Sequence, residues 1–112
     1  MALDIAGFID DRKGVDIKVI DVQGVSSLAD YFIVATGTST THVNGICDNV
    51  MEEMREKGIL INHKEGQRGG QWILLDFLDV IVHVFTKEER EFYDIERIWS
   101  DAEILELNID TF

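Results

Sequence analysis

The chain carries one cysteine, Cys47, among 112 residues, so no internal disulfide can staple it. That scarcity fits a reducing compartment, and a cytoplasmic location is expected. Apolar residues never run unbroken for the ~18 positions of a membrane span, and no basic start followed by an apolar stretch marks a secretory signal. Bases are scarce as well: 10 Lys and Arg stand against 22 Asp and Glu, a net charge of −12. Phosphate backbones repel so acidic a protein, because charge neutralisation supplies most non-specific nucleic-acid affinity. Strong direct nucleic-acid binding is therefore not expected, and the natural partner is a basic protein. Residues 87–112 hold nine of the acids and three of the bases, so the last quarter of the chain carries half the net charge. With no internal repeat and no low-complexity segment, residues 1–112 read as one domain, able to bury roughly two thirds of its unfolded surface. A hydrophobic fraction of 46% and six Phe exclude a disordered acidic tail.

What is present is a succession of periodic segments. Residues 1–11 read as a short helix, with Leu3, Ile5, Phe8 and Ile9 apolar and Gly14 just beyond. Val15, Ile17 and Val19 alternate with Asp16 and Lys18, the period-two signature of a strand. After a turn over 24–27, Tyr31 to Thr36 is a continuous apolar run of strand length, which predicts burial on both faces. Val43, Ile46, Cys47, Val50, Met51 and Met54 form one helical stripe, with Gly58 placed to end it. Residues 62–70 read as a polar loop, followed by two strands, 71–77 and 80–85. A helix is expected from Lys87 to about Trp99, with Phe92, Ile95, Ile98 and Trp99 apolar, and Ser100 could cap a short one through Leu105. The fold class is α/β (α+β): a mixed sheet of four to five strands flanked by helices.

A two-residue turn at Leu78-Asp79 pairs the last two strands so that residue numbers sum to 157. One face then carries Ile73, Leu75, Phe77, Val80, Val82 and Val84 and should be core. The other carries Trp72, Leu74, Asp76, Ile81, His83 and Phe85, too polar for an ordinary core and too apolar for a plain solvent face. Two readings stand: an aromatic-anchored binding surface, or a second core layer beneath the C-terminal helix. A one-residue slip of register would exchange the faces of the second strand.

The search for chemistry is less productive. Gly37-Thr38-Ser39 lies between a strand and a helix, where phosphate can sit, but the Gly-Lys-Ser/Thr ending of a P-loop is missing, and helix capping is the simpler role. The paired magnesium carboxylates of nucleotidyltransferases are missing too. Asp94 and Glu96 fall in a helical pattern, where i and i+2 side chains diverge, and Asp76 stands alone. His42, His63 and His83 lack zinc-ligand spacing. Cys47 belongs to the apolar helix stripe, and Glu88, Glu89 and Glu91 read as a solvated helix face. The expectation is a protein that is not an enzyme and holds no metal or cofactor.

Several blocks together resemble one family. Asp30-Tyr31-Phe32-Ile33-Val34-Ala35-Thr36-Gly37-Thr38-Ser39, followed by Val43, is similar to the DYFVIATGTS block of the Iojap family, the bacterial ribosomal silencing factors. Glu65-Gly66, the run Trp72 to Asp76, the run Asp79 to Phe85, and Arg90, Tyr93, Glu96 and Trp99 look like the rest of its signature, in order and spacing. The resemblance spans about residues 3–102. It implies a nucleotidyltransferase-like sheet without the catalytic carboxylates. It also implies binding to ribosomal protein L fourteen on the large ribosomal subunit, and steric blockade of subunit joining when nutrients are short. Organellar relatives act in large-subunit assembly, and free members form homodimers. The partner-binding residues implied are Trp72, Leu74, Asp76, His83 and Phe85 on the hairpin, with Arg90 and Tyr93 on the helix after it. Leu78 stands where the family often has Gly, a position that disfavours Leu if its φ is positive. A residual nucleotidyltransferase using Gly37-Thr38-Ser39 and Asp76, and a module serving only self-association, are the alternatives.

Overall fold

The computed structural model describes residues 1–24, 29–66, 69–93 and 103–106. The elements are α1 (Ala2–Asp11), β1 (Val15–Asp21), β2 (Tyr31–Gly37), α2 (Thr40–Glu56), β3 (His63–Glu65), β4 (Trp72–Asp76), β5 (Val80–Thr86), α3 (Lys87–Tyr93) and β6 (Glu103–Glu106). They build one six-stranded sheet in the order β3-β4-β5-β2-β1-β6. β2 and β5 run parallel at its centre, and every other pairing is antiparallel. None of the described helices is long and apolar enough to cross a membrane.

The helical stripe of α2 packs as its spacing predicts, with Val43, Ile46, Cys47, Val50 and Met54 all buried. Both ends are closed by local chemistry. Ser39 caps the start, its hydroxyl accepting from the His42 N–H at 3.1 Å. At the end, Gly58 N–H donates to Arg55 O and Ile59 N–H to Met54 O, both at 2.9 Å, with Gly58 at φ +82°. That pair of bonds is a Schellman closure, and the packing of Ile59 and Met54 in the same core seals it.

The continuous apolar run of β2 is buried on both faces. Ile33 and Ala35 join the larger core beneath α1 and α2, with Ile73, Leu75, Phe77, Val80, Val82 and Val84 from the hairpin. Phe32 and Val34 join a smaller core on the other side with Ile20, Val22, Ala29 and Phe85. Each fully buried Ile, Leu or Val stabilises the fold by roughly 1.5–3 kcal/mol, so the doubly covered centre is its strongest part.

The hairpin register is the one the 157 sum requires: Trp72 faces Phe85, Ile73 Val84, Leu74 His83, Leu75 Val82 and Asp76 Ile81. The turn is closed by Phe77 N–H to Val80 O at 2.9 Å, and by Leu78 N–H to Asp76 Oδ1 at 2.7 Å. Leu78 does take positive φ, +75°, at the first turn position.

Three expectations are corrected. Among the described residues the sheet has six strands, where about four to five were expected. The polar loop at 62–70 contains β3, a strand too short to show any period, recruited by pairing of His63, Lys64 and Glu65 with Asp76, Leu75 and Leu74. The expected short helix ending at Leu105 is instead strand β6, paired antiparallel to β1 from Lys18↔Glu106 to Asp21↔Glu103. The helix from Lys87 is described to Tyr93, and its expected continuation through Ile95, Ile98 and Trp99 lies outside the described residues. Phe92, assigned above to its apolar stripe, is 79% exposed.

Leu78 at positive φ is strained and 62% exposed, so its side chain returns little packing for that strain. Leu78→Gly is therefore expected to stabilise the protein by about 1 kcal/mol, raising the calorimetric midpoint by about 4–8 °C. A lowered midpoint would show that the side chain makes a compensating contact.

Candidate functional site

The mixed face of the hairpin is neither wholly surface nor wholly core. Its exposure is graded across the sheet. On β5, Phe85 is fully buried and His83 is 4% exposed, whereas Ile81 is half-buried. On β4, Trp72, Leu74 and Asp76 are all half-buried, and on the edge strand β3, His63 and Glu65 are exposed. The face is therefore a second core at the centre of the sheet that opens into a surface toward its β3 edge. The second-core reading holds for His83 and Phe85, and the rest of the face is accessible enough for a partner to reach.

The aromatic groups are held as a unit. Trp72 packs on Phe85 with ring centroids 4.9 Å apart, and Phe32 approaches His83 at 5.4 Å. The Trp72 indole Nε1–H donates to His83 Nδ1 at 3.1 Å. This bond fixes the neutral tautomer with its proton on Nε2, and Nε2 is buried without a hydrogen-bond partner. Burial pulls the His83 pKa from 6.5 down to about 4. Protonation would also turn Nδ1 into a donor facing a donor, so the aromatic unit requires an uncharged ring.

Asp76 is committed to the turn. Its Oδ1 accepts from Leu78 N–H, and its Oδ2 lies 3.5 Å from Asn62 Nδ2. Arg90 points inward and is 7% exposed. Its Nη1 donates to Asp16 O at 2.7 Å and to Thr36 Oγ1 at 2.8 Å, with Nη2 3.7 Å from the Asp16 carboxylate. The Asp16 carbonyl is available because β1 bulges between Val15 and Lys18, with Asp16 at φ +52°. Arg90 thus ties α3 to β1 and β2. Tyr93 closes α3. Of the residues expected to touch a partner, Trp72, Leu74 and Asp76 share the accessible part of the face, whereas His83, Phe85 and Arg90 lie beneath or behind it.

Two residues bordering this face were not singled out for it. Gly66 has φ +81°, and a Cβ there would collide with Trp72 O, so the chain after β3 can approach β4 only without a side chain. Glu65 pairs with Leu74 and so shares its face. The Glu65-Gly66 motif was the available signal, but assigning it to the face required the unrecognised strand β3.

The Gly37-Thr38-Ser39 turn is occupied by packing and capping. A Cβ on Gly37 would meet Val43 Cγ2 at 2.7 Å. Thr38 N–H donates to His42 Nδ1 at 2.8 Å, and His42 Nε2 reaches Arg12 O at 2.7 Å, tying the turn to the end of α1. Gly37 pairs with Thr86 and Asp76 with Ile81, five residues apart on β5, or about 17 Å along the strand. The two groups a residual nucleotidyltransferase would combine therefore stand at opposite ends of the sheet. Among the described residues, no group of three or more His, Cys, Asp or Glu could hold a metal ion. Cys47 is buried, and burial pushes its thiol up to about 12.

Fold and face together define a small mixed α/β protein that presents a hydrogen-bonded aromatic patch at one edge of its sheet. A family model described as "Ribosomal silencing factor during starvation" matches residues 1–111. The chain belongs to this ribosomal silencing factor (RsfS/Iojap) family. It is 38% identical over 103 residues to the ribosomal silencing factor RsfS of Bacillus subtilis, covering 92% of this chain and 87% of that one. It is 31% identical to the chloroplastic protein Iojap of Zea mays over 110 residues, covering 98% of this chain and 48% of the plant protein. A crystal structure of a Chromobacterium violaceum protein superposes with a TM-score of 0.84 at 38% identity, covering 87% of this chain and 82% of that one.

The buried imidazole makes stability depend on pH. Between about 4 and 6.5 the unfolded chain binds a proton at His83 that the folded protein refuses, so this contribution is complete above pH 6.5 and is lost as pH falls toward 4. The His83 share of the slope approaches about 1.4 kcal/mol per pH unit. Chemical denaturation at pH 7.0, 6.0 and 5.0 should show a shallower decline for His83→Gln than for the parent, and parallel declines would contradict the assignment.

Proposed function

We propose that this protein is a translational repressor that binds ribosomal protein L fourteen on the large ribosomal subunit and sterically blocks joining of the small subunit when nutrients are limited. The reading is carried by membership of the silencing-factor family, and the graded aromatic face supplies a surface suited to it. Trp72 and Leu74 make the direct contact, with Asp76 organising the turn beside them. His83 and Phe85 set the Trp72 ring, and Arg90 anchors the helix behind the hairpin. Tyr93, at the end of that helix, completes the proposed contact.

Blocking a surface needs complementarity and bulk but no turnover, so no catalytic group and no cofactor enter the mechanism. An interface of about 1,200–2,000 Å² is sufficient for a stable complex. The net charge of −12 favours encounter with a basic protein and disfavours the surrounding RNA. The action is cytoplasmic, and the free protein is a homodimer; where dimer and ribosome use one surface, dimer dissociation sets the competent fraction. A role in large-subunit assembly would use the same contact.

Trp72→Ala should weaken cosedimentation with purified large subunits at least tenfold, as expected for an aromatic anchor, and should restore subunit joining in parallel. Undiminished binding by a variant with a native melting profile would remove Trp72 from the interface.

A further inference from the structure

The aromatic face ends at a cavity of about 160 Å³ lined, among the described residues, by Glu65, Gly66, Trp72 and Leu74. A cavity of this size holds one benzene-sized group, and so one side chain rather than a segment. Its described side-chain walls are of two chemical kinds. Trp72 and Leu74 are apolar and lie on the same face of β4. Glu65, paired with Leu74 on that face, brings a carboxylate that is 63% exposed. Its Oε1 meets His63 Nε2 at 2.8 Å, and its second oxygen makes no hydrogen bond with a described residue. Gly66 adds only backbone, since any Cβ would strike the Trp72 carbonyl.

This combination discriminates among guests. An aliphatic side chain would satisfy Trp72 and Leu74 but strip water from the Glu65 carboxylate without replacing it. An acidic one would be repelled by that carboxylate and by the net charge of −12. A long side chain with an apolar stem and a cationic head satisfies both walls. The cation gains a charge-assisted hydrogen bond to Glu65 and the field of the indole ring.

We propose that this cavity receives a single basic side chain of the protein partner, its stem against Trp72 and Leu74 and its cationic head on Glu65. Arginine is favoured over lysine, because a planar guanidinium can stack on the indole while bonding the carboxylate. The assignment rests on the docking reading above and deepens it by naming the chemistry that the partner must present.

Nuclear magnetic resonance titration with acetyl-arginine amide, against its neutral isostere acetyl-citrulline amide, tests the cavity without any ribosomal component. The arginine probe should shift the amide signals of Gly66, Trp72 and Leu74, the citrulline probe should not, and Glu65→Gln should abolish the difference. Equal shifts from both probes, no shift from arginine, or an arginine response that survives Glu65→Gln would overturn the assignment. In cosedimentation with large subunits, Glu65→Gln should lower affinity about tenfold and flatten its salt dependence. Parental binding by that variant would overturn the cavity's role in docking. Failure of the unmodified protein to bind large subunits would instead refute the docking reading, while arginine-specific shifts would still support the cavity.

Discussion

The hydrogen bond from the Trp72 indole to His83 joins the accessible strand β4 to the buried strand β5. It turns a flexible surface aromatic into a fixed one. Its cost is an imidazole held neutral out of water, with its second nitrogen unpartnered. A lone buried N–H costs about 1–3 kcal/mol, which the stacking of Trp72 on Phe85 and the apolar surroundings of the ring must outweigh. A preorganised anchor loses less conformational freedom when a partner arrives. The same groups that complicate the interior therefore improve the surface.

A second strut acts behind the first. Arg90 reaches from α3 to the carbonyl exposed by the β1 bulge and to the Thr36 hydroxyl. Thr36 is the β2 neighbour of Phe85, whose β4 neighbour is Trp72. Thr36, Phe85 and Trp72 thus form one row across the sheet, with Arg90 bonded to its Thr36 end. In the proposed docking these residues act at different depths: the innermost fix geometry, and the outermost make contact.

Much of this was legible in residue patterns. The α2 stripe, the doubly buried β2 and the hairpin register each follow from periodicity, because one buried face leaves a strand only one acceptable register. The mixed face of the hairpin was also visible, though its division into core and surface was not. That division depends on what lies across the sheet, and Val34 beside His83 is remote in sequence. Arg90 was expected among the partner-binding residues, and its inward role was not legible because its partner, a main-chain carbonyl at a bulge, leaves no side-chain signature. β3 and β6 escaped for a related reason: three or four residues carry too little periodicity, and pairing with a formed sheet makes them strands.

The central claim is that the Trp72 face is covered when the protein engages the large subunit. The chain has two tryptophans, Trp72 and Trp99, so a Trp99→Phe variant reports on Trp72 alone. Titrating it with purified large subunits, with binding verified in the same samples by sedimentation, should shift the Trp72 emission to the blue and shield it from acrylamide quenching. Emission and quenching unchanged in the bound fraction would contradict the account.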